Sequence, residues 1–485
     1  MADNRPINSV SEGMALEIFG DNQHWPRRQR PPLSYREAAR ETPVFSQTDV
    51  LVIGGGPSGT SAAVAAARLG ADVTLVERYN HLGGLSTGGL VIWIDRMTDW
   101  EGNQVIAGFA RELLDRLPKE AIMGPPRAEW GSKDTATADY WSYRSAAFQG
   151  IVTWSPTIDP EALKTLLIQL VVENNIRLLL HAFAVQPIMD GNTIKGAIFE
   201  SKEGRHAVLA MVVVDTTGDA DILSRAGVPS DSDIDDTDIH HCINTAFIFG
   251  GVDMVRWTEF RRNNKAGFSD FMKRGRDKLK YFEKPFFSWR SDIGLFMGPR
   301  LSGYSAVDVE DLTEVEIKSR QLAVGHLEIY RAEAPGFENA YLLLGAPQVG
   351  VRHSRRFAAE RMVTRENWDK ATIWADEIGV STSLAPKWKN ISVPYGSLLP
   401  RGVEGAIGAG RHVACDASSH TFLREIPQCW MTGQAAGVAA ALAANSGVHP
   451  RLLDCRPIQR ELLKQGAYLS PSVAAAAEGT AAAAE

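Results

Sequence analysis

The chain has 485 residues, 44% hydrophobic and 22% charged, with a formal charge of −7. This is ordinary globular composition, long enough for two or three domains, and its mild acidity gives no reason to expect nucleic acid or an anionic membrane as a partner. Cys242, Cys415, Cys429 and Cys455 lie too far apart for a redox pair, a zinc site or an iron–sulfur cluster, so no metal is expected and the thiols read as reduced.

Residues 1–46 carry Pro26, Pro31 and Pro32 and a basic Arg27-Arg-Gln-Arg30 run without an apolar period, and they read as an N-terminal arm. The start of the chain lacks the apolar core of a signal peptide, and no apolar run reaches the ~18 residues of a membrane span. A soluble, cytoplasmic protein is expected.

Residues 47–95 hold the most informative stretch. Asp49 to Ile53 reads as a buried parallel strand, Gly54, Gly56 and Gly59 complete G-x-G-x-x-G, Thr60 to Leu69 is an alanine-rich helix, and Val73 to Glu77 is a second strand. The first glycine permits a tight turn, the second lets the backbone approach a pyrophosphate, and the third lets helix and strand touch. Glu77, eighteen residues past Gly59, stands where a carboxylate accepts hydrogen bonds from an adenosine ribose. Together these residues predict binding of FAD or NAD, with the phosphates at the helix N-terminus.

After an excursion at 96–154, residues 155–230 resume regular structure. Asp159 and Pro160 start a helix running through Val172, and strands over 178–180, 183–188, 193–200 and 207–214 alternate with Asp-Gly and Glu-Gly turns. The turn Asp215-Thr-Thr-Gly218-Asp219-Ala-Asp221 leads into a short helix, for which Asp219 and Asp221 are expected to act as caps. Within 231–389 come an acidic loop, Asp231 to Asp238 with His240-His241, read as solvated, and a basic stretch from Arg261 to Lys280, read as an exposed helix face. Nine aromatic residues between Trp257 and Tyr304 suggest a core, part of which lines an aromatic substrate cavity.

In residues 390–450, Gly405 to Gly410 reads as a strand ending in glycine, followed by a helix from Pro427 to Leu442 with a small-residue face. Its N-terminus is either a source of positive potential for a reduced flavin or a plain packing element. Residues 451–485 end in an alanine- and glutamate-rich tail from Ala474 that is set aside from the chemistry.

Taken together, these segments resemble the glutathione reductase-type flavoproteins, and more narrowly the bacterial FAD-dependent oxidoreductases distantly related to fumarate reductase flavoproteins. The resemblance runs from about residue 47 to 445 and rests on Glu77 to Gly84 with Ser86 and Thr87, Asp159 to Lys164, Asp215 to Asp221, Pro335 to Ala340, Gly350 to Arg356, and Gly410 to Gly437. It implies an α/β fold: a Rossmann-like FAD domain built from 47–95, 155–230 and 390–450, interrupted by an α+β substrate-capping domain at 231–389, with 96–154 associated with the cap. Non-covalent FAD would contact Pro57, Ser58 and Arg78 beside the motif, Gly83, Gly84, Ser86 and Thr87 near the flavin, Gly218 near the adenine half, and Gly410, Arg411, Gln428 and Gly433 around the isoalloxazine. The family's Arg-Glu before Ser-Arg-Arg is here Arg352-His353, which makes His353 a candidate base and Arg352, Arg355 and Arg356 candidate clamps for an anionic substrate. His420 and Tyr395 are rival bases.

The function this implies is an FAD-dependent dehydrogenase or oxidase that takes a hydride from a small organic substrate and passes electrons to an external acceptor of unknown identity; homo-oligomerisation is open. The alternatives are a flavin monooxygenase using NAD(P)H and a flavoprotein subunit of an electron-transfer complex. Beyond residue 100 no second G-x-G-x-x-G follows a strand, so a nicotinamide domain is not expected.

Overall fold

The structure, a computed structural model, describes residues 30–232 and 243–479. The His240-His241 pair, Cys242 and Asp233 to Asp238 of the acidic loop lie outside the described residues.

The central sheet is formed by β1 (Val44–Ile53), β2 (Val73–Val76), β3 (Arg177–Leu179), β4 (Phe183–Asp190), β5 (Thr193–Ser201), β6 (Gly204–Asp215) and β7 (Ala406–Gly408). Its order is β3-β2-β1-β6-β5-β4, with β7 added to β6. The strands β3, β2, β1, β6 and β7 run parallel, whereas β4, β5 and the first half of β6 form an antiparallel meander. Val50 to Ile53, all apolar, and Val73 to Val76, apolar but for Thr74, are buried on both faces, as parallel strands under helical layers must be. Val44 to Ser46 belong to β1, so the arm ends three residues earlier than its composition suggested.

Register decides where the loops go. Ile53 lies opposite both Val76 and Asp215, Asp215 opposite Gly408, and Val76 opposite Leu179. The five parallel strands therefore end level, and the segments that follow them emerge at one edge, where open α/β sheets bind ligands.

Two helices of small residues fix that edge. The helices α1 (Pro57–Ala67) and, near the C-terminus, Ile426–Ser446 pack with their backbones nearly in contact. A Cβ added at Gly433 would lie 2.2 Å from the Ser58 carbonyl, and one at Gly437 would lie 2.1 Å from that of Ala62. Between them in sequence, α2 (Pro160–Glu173) starts as expected, with Asp159 accepting from the Glu161 and Ala162 amides. The cap of α3 (Asp221–Arg225) differs from expectation. Asp215, not Asp219 or Asp221, accepts the Ile222 and Leu223 amides, both at 3.0 Å, because the end of β6 points its carboxylate straight at the helix start. The helix Ile426–Ser446 is α4 below.

A second layer holds an antiparallel sheet in the order Phe286–Phe287, Ile293–Phe296, Phe247–Gly250, Tyr341–Gly345, covered by the long helix Val309–Glu333. Trp257, Phe271, Phe282, Phe296, Tyr330 and Phe337 form its own core, which accounts for most of the aromatic run. The basic face is largely paired at the surface, Arg262 with Asp139, Lys273 with Asp277 and Arg274 with Glu333, while Arg261 stacks over Tyr143 and Phe268. The 96–154 excursion divides: Phe109 and Leu113 join the main core, whereas Arg144 reaches the Phe287 ring. Part of the alanine-rich tail is a docked helix, Pro471–Glu478, with Val473 and Ala477 buried.

Candidate functional site

At the level ends of the strands lies a cleft of about 820 Å³. Gly54 (φ +101°) makes the turn out of β1, and a Cβ there would lie 2.6 Å from the Thr216 carbonyl. At Gly59 a Cβ would lie 1.7 Å from the Gly54 carbonyl, so helix and strand touch through glycine. At Gly56 a Cβ would meet nothing within 4 Å. Open space therefore begins at that Cα, directly at the start of α1, which has no side-chain cap on its N-terminal amides. These are the features of a pyrophosphate cradle.

Glu77 stands across the same cleft, buried, with Oε2 accepting the Gly55 N–H at 2.6 Å and Oε1 the Tyr79 N–H at 2.8 Å. Each carboxylate oxygen keeps a lone pair, enough for a vicinal pair of hydroxyls. The residues thus fit the adenosine diphosphate portion of a dinucleotide.

Arg411 closes the far end of the cleft. Its guanidinium pairs with Asp219 at 2.7 Å, donates to the Val351 carbonyl at 2.5 Å, and lies over Gly218, where a Cβ would approach Nη2 to 2.5 Å. Beyond it a second cavity, about 690 Å³, is walled by Trp93, Phe286, Asn244, Arg300 and Arg352. The two cavities share Leu85, Arg411, Arg424 and Ile426, so they meet at the N-terminus of α4.

Of the residues expected to contact a cofactor, Gly54, Gly56, Pro57, Ser58, Glu77, Arg78, Gly84, Gly218 and Arg411 line the first cleft. Gly59, Gly83, Ser86, Thr87, Gly410, Gln428 and Gly433 lie one layer behind. Ser86 donates to the Gly83 carbonyl at 2.7 Å and Thr87 to that of Leu82 at 2.6 Å, Gly410 and Gly433 pack on Ser58, and the Gln428 amide donates to Ser381 at 3.0 Å. His81, in the same loop, bonds Asn80 and Gln348 through its ring.

Among the candidate catalytic residues, Arg352 lines the second cavity. His353 and His420 are buried and pack edge to face at 4.5 Å, outside the lining of either cavity. His420 Nε2 lies 3.2 Å from the Arg411 carbonyl, and burial, reinforced by His353 and Arg424, holds the ring well below the usual histidine range. Tyr395 is likewise buried and donates to the Pro450 carbonyl at 3.0 Å. Arg355 and Arg356 also lie outside the lining of either cavity: Arg355 bonds the Asp219 carbonyl and Asp221, and Arg356 bonds Asp231.

Sequence reasoning missed Tyr79, Thr217, Gln348 and Arg424 in the first cleft, and Trp93, Asn244, Arg300 and Glu425 in the second. Arg424-Glu425 directly precedes the proline-started helix, and that position was the available signal. Cys429 also lines the first cleft, but burial pushes its thiol up to about 12, so it is an unreactive wall residue. Among the described residues no cluster of His, Cys, Asp or Glu could hold a metal ion, and no helix is long and apolar enough to cross a membrane.

Comparison with solved structures finds a geranylgeranyl bacteriochlorophyll reductase-like protein from Thermoplasma acidophilum, at 12% identity over 89% of this chain and 87% of that one, TM-score 0.44. It also finds p-nitrophenol 4-monooxygenase from Pseudomonas putida, at 11% over 89% and 88%, TM-score 0.38, and GidA of Aquifex aeolicus, at 16% over 86% and 67%, TM-score 0.42. The family model for FAD dependent oxidoreductases matches residues 49–462, from β1 through α4 and into the helix after it. With a glycine-lined cleft at an uncapped helix start, a buried carboxylate across it and that match over most of its length, the chain belongs to the FAD dependent oxidoreductase family and is an enzyme with FAD as its cofactor.

Proposed function

We propose that the first cleft holds the adenosine diphosphate half of FAD and that the second cavity is the substrate chamber of a dehydrogenase or oxidase. The observation that carries this reading is the shared wall of Leu85, Arg411, Arg424 and Ile426, which joins a nucleotide cradle to an aromatic- and arginine-lined chamber. Gly56 and the start of α1 face the pyrophosphate, Glu77 faces the ribose, and the junction at α4 receives the flavin ring. Bound there, FAD supplies a two-electron acceptor for a hydride.

The chain's own contribution is electrostatic and positional. The N-terminus of α4 carries a partial positive charge, and Arg411 and Arg424 stand beside it, which favours negative charge gained on reduction. Trp93 and Phe286 exclude water from one side of the chamber. Glu425, the carboxylate in the chamber lining, pairs with Arg424 at 3.2 Å and is the group placed to accept a substrate proton.

On this reading the main sheet and α4 form a flavin domain of the glutathione reductase type, interrupted by a capping domain within 231–389, from which Phe286, Arg300 and Arg352 are contributed. The described cysteines are free, which suits a reducing compartment, and we take the location as cytoplasmic. An anaerobic screen of small organic acids, alcohols and amines against the oxidised holoenzyme tests the function. Saturable loss of flavin absorbance with one class is the expected result, and reduction by a partner flavoprotein alone would favour an electron-transfer subunit.

A further inference from the structure

The chamber lining is unbalanced in charge: Arg300, Arg352, Arg411 and Arg424 face one carboxylate, Glu425. Two of the four have close partners already described, Arg411 with Asp219 at 2.7 Å and Arg424 with Glu425 at 3.2 Å. Arg300 differs. Its partner is Glu283, at a looser 3.4 Å, and its side chain is 43% exposed.

Arg300 also sits at a boundary. It and Phe286 line both the chamber and a wider, more open depression on the outer side, which continues over Phe282, Glu283, Lys284 and Arg276. A route from solvent to the chamber through this depression passes the Arg300–Glu283 pair. Aromatic surface flanks the route, since the Trp93 and Phe286 rings lie 5.9 Å apart.

Glu283 is held from behind, independently of Arg300. Its backbone N–H donates to His326 Nε2 at 3.0 Å, the Tyr281 hydroxyl donates to Oε1 at 3.2 Å, and its carboxylate lies over Gly298, where a Cβ would come within 2.1 Å of Oε2. A carboxylate so placed beside a half-exposed arginine occupies the position an incoming anion would take. Burial pushes the Glu283 carboxyl above the ordinary glutamate range, against the opposing pull of Arg300, the Tyr281 hydroxyl and Arg352.

We propose that the substrate is an amphipathic organic anion with an aromatic or apolar body, and that Arg300 recognises its anionic group by exchanging Glu283 for it at the mouth of the chamber. Arginine suits this role because its planar fork pairs with a carboxylate through two parallel hydrogen bonds. Glu283 then acts as a specificity element, since a neutral ligand offers nothing in return for breaking its pair with Arg300. The inference rests on the reading of the second cavity as the substrate chamber.

The test uses the FAD-loaded protein with phenylacetate and phenylacetamide as probes, followed by calorimetry and by the flavin absorbance spectrum. Phenylacetate is expected to bind saturably and to perturb the flavin, with phenylacetamide at least about tenfold weaker, and Arg300→Gln should weaken the acid by about tenfold or more without changing the amide. Glu283→Gln should tighten acid binding severalfold. That second variant decides the matter if Arg300→Gln fails to load FAD. Equal affinity for acid and amide, absence of saturable acid binding, or unchanged acid affinity in Arg300→Gln each overturns the proposal. Arg300-dependent heat without a flavin perturbation would leave the exchange standing and sink the chamber reading instead.

Discussion

Arg411 and Asp219, joined at 2.7 Å with both side chains almost fully buried, tie the wall shared by the two cavities to the turn that follows β6. Ser354 also donates to the same Asp219 oxygen, so one carboxylate locks three segments that are distant in sequence.

Removing that carboxylate leaves a buried guanidinium without its partner. Asp219→Ala is therefore expected to cost roughly 3–5 kcal/mol of stability and to weaken FAD retention, because Arg411 walls the cleft. Thermal unfolding with flavin release as the readout checks this; a variant that melts with wild type and stays yellow would show the pair to be incidental.

At Gly56 the open space above the Cα is the feature to fill. Gly56→Val should give colourless or flavin-poor protein with the fold retained, since nothing in the chain itself obstructs the new side chain. Flavin content per chain measures it, and full loading of the variant would remove the cradle from the FAD site.

Glu77 makes two bonds to the chain and is expected to make two more to the ribose. Glu77→Ala should weaken FAD binding by roughly 1.5–3 kcal/mol, with turnover at saturating FAD much less affected. Titration of the apo-variant with FAD gives the answer, and an unchanged dissociation constant would place the ribose elsewhere.

Much of this was legible in the sequence, for identifiable reasons. The βαβ unit was readable because each glycine answers a local steric demand and the strands are runs of mostly apolar, β-branched residues. Asp159 and Pro160 likewise declare a helix start within three residues. What was not legible depends on distant segments arriving together. Asp215 reaches a helix start six residues along only because β6 ends where it does. Arg300, Trp93 and Glu425 meet in one chamber through tertiary packing that no local pattern encodes. His353, His420 and Tyr395 have side chains suited to proton transfer, but the sequence did not reveal that each sits behind the cavity walls, bonded or packed within the core.

That placement separates two classes of variant. Glu425→Gln is expected to lower kcat by about 10²–10⁴ with FAD content unchanged, the range for loss of a general base. Tyr395→Phe removes one buried hydrogen bond, costing about 1 kcal/mol of stability and leaving kcat within about threefold. Steady-state kinetics with the substrate class found in the anaerobic screen compares them; a large loss in Tyr395→Phe with full activity in Glu425→Gln would reverse the assignment.

His326 gives the structure an acid-sensitive point. Burial holds its ring down at about 4, opposed by its bond to the Leu322 carbonyl, while the unfolded ring titrates near 6.5. Because the folded form resists protonation, the unfolded state binds more protons between these values, so stability is full above about 6.5 and is lost as pH falls towards 4. At pH 5 this one ring accounts for roughly 2 kcal/mol. Burial of His420, which packs against His353 elsewhere in the molecule, acts in the same direction. The drop in melting temperature between pH 7 and pH 5 should be smaller in His326→Gln than in the wild type, and an equal drop would exclude His326 as a contributor.

The central claim is that reducing equivalents reach the flavin from an organic substrate in the chamber and not from a nicotinamide. Apart from isolated bridges, parallel pairing among the described residues is confined to the one nucleotide-binding sheet. Anaerobic stopped-flow mixing of the oxidised protein with NADH and with NADPH is the most direct test. The flavin is expected to stay oxidised with either nucleotide on the turnover timescale while the screened organic substrate reduces it. Rapid, saturable bleaching by NADH or NADPH without another substrate would contradict the account and put a monooxygenase or reductase in its place.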